Sequence, residues 1–167
     1  MYLERKQRFM SNTLLRTGNP QAPYAESIAL PAEAKLVYVS GILADVADGD
    51  AVPGTPAAYG DTQTQAASVL GKIQAILAQH DLQMRHIVQL RAFLVGTPEH
   101  GGRLDFAGFQ RAYATFFDDP DLAAKPTRTA IQVVALPLPG TLVEVDVVAA
   151  HPLTVSRRGL VNDPAPC

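Results

Sequence analysis

Residues 126–149, PTRTAIQVVALPLPGTLVEVDVVA, decide how this chain is read. Two runs rich in β-branched residues flank a Leu-Pro-Leu-Pro-Gly break, which gives two β-strands joined by a Pro/Gly turn. Side chains alternate along a strand. In the first run Arg128, Ala130, Gln132 and Val134 share one face, and Thr129, Ile131 and Val133 share the other. In the second, Val143, Val145 and Val147 oppose Glu144, Asp146 and Val148. An arginine can clamp a carboxylate through a planar fork, and a glutamate can direct a water. Together they are the minimum kit for hydrolysing a small carboxylated substrate.

Working outward, Leu36–Gly41 (LVYVSG) and His86–Val95 (HIVQLRAFLV) have the composition of buried strands, and Tyr24–Leu30 reads as an extended stretch. Asp61 is placed to cap a helix, because Ala66, Val69, Leu70, Ile73, Ile76 and Leu77 then recur at helical spacing up to about His80. Asp105–Phe117 is a second helix, with Phe106, Phe109, Tyr113 and Phe116 as an aromatic stripe facing the sheet, and Asp118-Asp119-Pro120 ends it. Residues 42–60, rich in Gly, Pro and Asp, read as a long loop. Residues 1–17 read as an N-terminal extension with a short strand near Phe9, and residues 151–167 as a tail, leaving 18–150 as one domain. The order is β-β-α-β-α-β-β with room for an extra N-terminal strand. It predicts an α+β fold: a mixed β-sheet with both helices packed on one face. The last strands are apolar on one side and largely apolar on the other, so the second face is expected to bury against other subunits.

At 167 residues the chain suffices for one domain with its own core. Hydrophobic residues make up 47% and charged residues only 18%, a balance that leaves room for an oligomer interface. A net charge of −2 with scattered Lys and Arg gives no basic face for nucleic acid. The clusters Arg5-Lys6-Arg8 and Arg157-Arg158 read as solvated terminal charge. The one cysteine, Cys167, permits no internal disulfide and no zinc spacing, and His80, His86, His100 and His151 are dispersed. No secretory h-region and no long apolar run are present in the sequence, so a cytoplasmic location and no membrane partner are expected.

Four stretches, in order and at compatible spacing, resemble the reactive-intermediate deaminase family, also called YjgF or RidA. They are Ala22-Pro23-Tyr24; Val37-Tyr38-Val39-Ser40-Gly41; Gln63-Thr64-Gln65 with Ile73 and Leu77; and Pro126-Thr127-Arg128 through Leu136-Pro137 to Val143-Glu144-Val145. The resemblance covers roughly residues 18–150. It implies a chorismate-mutase-like homotrimer with an inner β-barrel and clefts between subunits. It also implies hydrolysis of 2-imino acids and their enamine tautomers to 2-oxo acids and ammonia, with no metal or organic cofactor.

Carried onto this chain, the resemblance makes Arg128 the ligand of the substrate carboxylate, bound through a fork that lysine cannot reproduce. Glu144 holds a water against the imine carbon and relays a proton to the departing ammonia. Gly41 offers its backbone amide where no Cβ obstructs the substrate. Tyr24 closes the pocket, and Ser40 contributes to the same wall. Each has an ordinary structural alternative: Arg128 or Glu144 as an ion-pair partner, Tyr24 as a packed ring, Ser40-Gly41 as a plain strand end. Ala130 stands where many members carry a cysteine, and Gly71 and Gln110 where asparagines are common. The longer loop after Gly41 and the extra tail leave the substrate open. Two other readings keep the same clefts: a non-catalytic trimer holding small carboxylates or 2-oxo acids, and a deaminase of a larger catabolic enamine such as an aminomuconate. A ribonuclease reading is opposed by the acidic balance.

Overall fold

The fold is laid out by one mixed sheet. The structure, a computed structural model, describes residues 14–117 and 124–152. Its strands are β1 (Leu15–Thr17), β2 (Ser27–Ala29), β3 (Leu36–Leu43), β4 (Ile87–Val95), β5 (Thr127–Val133) and β6 (Val143–Ala150). The helices are α1 (Pro56–Tyr59), α2 (Thr62–Ala78) and α3 (Phe106–Phe117), with short 3-10 turns at Met84–His86 and Pro98–His100. β3, β6, β4 and β5 form a four-stranded sheet in that order, while β1 and β2 make a separate antiparallel hairpin. β6 runs antiparallel to both its neighbours, and β5 runs parallel to β4.

The expected α+β class holds, with α2 and α3 on one sheet face. Asp61 caps α2 as expected: Thr64 N–H donates to its Oδ1 at 2.8 Å, and that bond holds the carboxyl below the usual range. Ala66, Val69, Leu70, Ile73 and Leu77 are fully buried, as the spacing of the sequence required. They pack against Leu90, Ala92, Leu94, Val143, Val145 and Val147 of the sheet and Phe109 and Tyr113 of α3. Each such aliphatic side chain contributes roughly 1.5–3 kcal/mol of burial free energy. Gln65 is buried among them with every polar atom paired. Its Nε2 donates to the Gly60 carbonyl at 2.9 Å, and its Oε1 accepts from Leu142 N–H at 2.7 Å. It therefore ties the approach to β6 onto α2.

β5 and β6, though consecutive, are not paired with each other, because β4 lies between them. Two details differ from the sequence reading. The 42–60 loop ends in the one-turn helix α1, started by Pro56 at its first turn and anchored by buried Ala58 and Tyr59. Four residues are too few to show a helical period. Leu15–Thr17, placed in the extension, pairs with β2. The strand near Phe9, the Asp118-Asp119-Pro120 helix stop and Cys167 lie outside the described residues. None of the described helices is long and apolar enough to cross a membrane.

Candidate active site

Register decides which face each functional side chain takes. Arg128 pairs with Leu90 of β4, and Leu90 pairs with Val147 of β6. Leu90 and Val147 are both in the core, so Arg128 stands on the helix face, at the margin of the sheet. Glu144 pairs with Phe93 and Leu43, on the opposite face. The alternation in 126–149 is as the sequence indicated, but one chain does not bring Arg128 and Glu144 together.

Arg128 is half-buried. Its Nη1 donates to Gln110 Oε1 at 2.8 Å. Four rings surround its guanidinium carbon: Tyr113 at 4.4 Å, Tyr24 at 5.2 Å, Phe106 at 5.7 Å and Phe109 at 5.9 Å to the ring centroids. Among the described residues no carboxylate pairs with it. Burial pulls its pKa down from the ordinary value, opposed by Tyr113 and Tyr24, yet the group stays cationic. A half-buried cation lined by rings, with no counter-ion among the described residues, has the chemistry to receive an anion.

Tyr24 reaches this cation because its backbone is tied down. Lys125, only 6% exposed, donates from Nζ to the carbonyls of Pro20 at 2.8 Å and Ala22 at 2.9 Å. Tyr113 donates its hydroxyl to the Pro23 carbonyl at 2.9 Å. Burial raises the Tyr113 pKa, so that hydroxyl keeps its proton and its donor role. Ala25 N–H closes the strap by donating to the Pro126 carbonyl at 2.8 Å.

On the other face, Ser40 and Gly41 form a bulge in β3 opposite Asp146, and both are exposed. A Cβ on residue 41 would collide with Glu144 Oε1. The open space over Gly41, expected for substrate, is taken by the Glu144 carboxylate in this chain. Nearby, Arg91 grips Asp146 through two bonds of 2.9 and 2.7 Å. The structure thus gathers Arg128 with Tyr24 in one place, and Glu144 with Gly41 and the Ser40 bulge in another. Gln110, Lys125 and the rings of Phe106, Phe109 and Tyr113 were not assigned to the site from sequence. The signal available was the spacing of the α3 stripe, which suits a ring cluster around a cation as well as a plain core. No group of three or more His, Cys, Asp or Glu among the described residues is disposed to hold a metal.

The model of the family described as "Endoribonuclease L-PSP" matches residues 16–151 of the chain. The protein DfrA of Myxococcus xanthus is 32% identical over 128 residues, 76% of this chain and 84% of that protein. The chain belongs to the YjgF/RidA family. Solved family structures resemble it in fold. The Yersinia pestis Rid protein YyfB, described as of unknown function, superposes with a TM-score of 0.60 at 22% identity, covering 83% of this chain and 98% of that one. Yeast Mmf1 superposes at 0.52 with 27% identity, covering 82% and 98%. Arg128, Tyr24, Gly41 and Glu144 all fall inside the matched span. Membership sets the fold and leaves the reaction to be argued from the site.

Proposed function

We propose that this YjgF/RidA chain hydrolyses 2-imino acids and their enamine tautomers to 2-oxo acids and ammonia. The observation that carries the reading is Arg128: a half-buried guanidinium with no acid partner among the described residues, held by Gln110 under four rings. It takes the substrate carboxylate and fixes its orientation. Glu144 directs a water onto the imine carbon and passes a proton to the leaving nitrogen. Gly41 leaves room for that carboxyl, Ser40 forms part of its wall, and Tyr24 covers the anchored acid.

Arg128 and Glu144 lie on opposite faces of one sheet, so a site using both draws them from two chains. A homotrimer, with the helix-free sheet faces turned inward as a barrel, supplies that pairing. In support, this face exposes Tyr38 at 75% and Ile131 at 45%. The reaction needs no metal or organic cofactor, and the ligand is a small carboxylated imine, enamine or 2-oxo acid rather than nucleic acid.

The test generates imino acids in situ with an amino-acid oxidase and follows imine loss. Wild type is expected to accelerate it, and Arg128→Ala and Glu144→Ala are expected not to. Equal rates for wild type and Arg128→Ala would sink the reading. A second reading, carboxylate binding without turnover, is favoured by one observation: Arg128, Gln110 and Tyr24 meet within a single chain, whereas Glu144 does not join them there. Wild-type protein that binds 2-oxo acids but leaves imine loss at the uncatalysed rate would establish it.

A further inference from the structure

Two of the four rings around Arg128 differ from the others. Phe109 and Tyr113 are buried and form the floor, while Tyr24 and Phe106 are 38% and 46% exposed. Exposed rings flanking a desolvated cation are unusual for a surface that only needs to be soluble. The donors of Arg128 sharpen the point. Gln110 occupies Nη1, and Nε and Nη2 have no partner among the described residues. Those two nitrogens share one edge of the guanidinium, at the spacing of the two oxygens of a carboxylate. A carboxylate held there lies in the guanidinium plane. The centroids of Tyr24 and Phe106 lie 5.2 and 5.7 Å from the guanidinium carbon, within reach of what the carboxylate carries. Ala130, two residues along on the same strand face, carries only a methyl.

We propose that Tyr24 and Phe106 make the Arg128 site selective for flat, conjugated 2-imino or 2-oxo acids bearing an aromatic substituent. This rests on the reading of Arg128 as the carboxylate anchor and names the substrate class of that site. A 2-imino acid is conjugated from its carboxylate through the α-carbon, so it keeps to the guanidinium plane. A tetrahedral α-carbon pushes its substituents out of that plane. An aromatic substituent on the flat acid gains a ring contact that a methyl cannot offer.

Binding of stable acids isolates this from turnover. Calorimetric titration of the intact protein compares pyruvate, benzoylformate (aromatic, with a trigonal α-carbon) and mandelate (aromatic, with a tetrahedral α-carbon). Benzoylformate is expected to bind about tenfold more tightly than pyruvate, the size of one aromatic contact, and more tightly than mandelate. Phe106→Leu, which keeps an apolar side chain at the start of α3, is expected to shrink the benzoylformate-to-pyruvate ratio several-fold. Equal affinity for benzoylformate and pyruvate, mandelate matching benzoylformate, or an unchanged ratio in Phe106→Leu would each overturn the selectivity while leaving the anchor intact. Binding of all three acids that survives Arg128→Ala, or no binding of any acid, would remove the anchor and the selectivity together.

Discussion

The carboxylate of Glu144 rests directly over the α-carbon of Gly41, in the space a side chain there would need. The contact joins β3 to β6 at the Ser40–Gly41 bulge, so a backbone irregularity and a candidate catalytic acid depend on each other. Gly41→Ala is expected to force the carboxylate aside at an overpacking cost of roughly 1–3 kcal/mol. Imine hydrolysis should fall to the level of Glu144→Ala while the fold survives. Circular dichroism with the oxidase-coupled assay checks both halves, and full activity in Gly41→Ala would show that the placement of Glu144 is irrelevant to turnover.

Arg128 is a cation kept in a partly dry place, with no acid beside it among the described residues. Such a group serves binding at the expense of stability. Arg128→Met retains contact with the surrounding rings and removes the desolvated charge. It should unfold at the same temperature as wild type or higher. Carboxylate affinity should drop about 10- to 100-fold, the worth of one or two charge-assisted hydrogen bonds. Thermal melts and titration with a 2-oxo acid measure the pair, and a marked fall in melting temperature would contradict the prediction.

Lys125 holds the strap that carries Tyr24. In Lys125→Met the carbonyls of Pro20 and Ala22 lose their donor, a cost of about 1–3 kcal/mol if they stay buried. Turnover should fall because Tyr24 no longer sits over Arg128. In a Tyr24→Ala background the same substitution should change turnover little. A double-mutant cycle reads that coupling directly. Additive losses would mean that Lys125 acts on stability alone.

His86 accepts a hydrogen bond from Gln83 N–H on its Nδ1 at 2.8 Å, so the fold holds the ring neutral. Burial, then the charges of Arg85, Arg16 and His151, push its pKa below the ordinary value. As pH falls, the unfolded chain takes up this proton first. The stability that neutral His86 contributes is whole above about pH 6.5 and is lost as pH falls from there through the folded value. Melting temperatures between pH 7.5 and about 5 should therefore decline less in His86→Gln than in wild type. Parallel curves for the two proteins would refute the assignment.

Much of the architecture could be read from residue order. The α2 face from Ala66 to Leu77, the Asp61 cap and the alternation around Arg128 and Glu144 follow from local rules, and the structure keeps them. Strand neighbours are not local. Val143–Ala150 shows the same alternation whether it lies beside β5 or, as it does, between β3 and β4. The site was legible in part for the same reason. Arg128 and Tyr24 stand out as residue types. Gln110 and Lys125 look like ordinary surface residues until folding brings one to a guanidinium and the other to a pair of carbonyls.

β6 follows its sheet partners in the chain and yet occupies an interior position, bonded on both edges. A growing polypeptide that has made β3, β4 and β5 still lacks the strand that joins the first to the other two. Until Val143–Ala150 emerges, it holds a lone β3 and a β4–β5 pair with open edges. Commitment to the native topology is thus deferred until β6 has been made, and edge exposure in the waiting chain is the hazard that such a strand order carries.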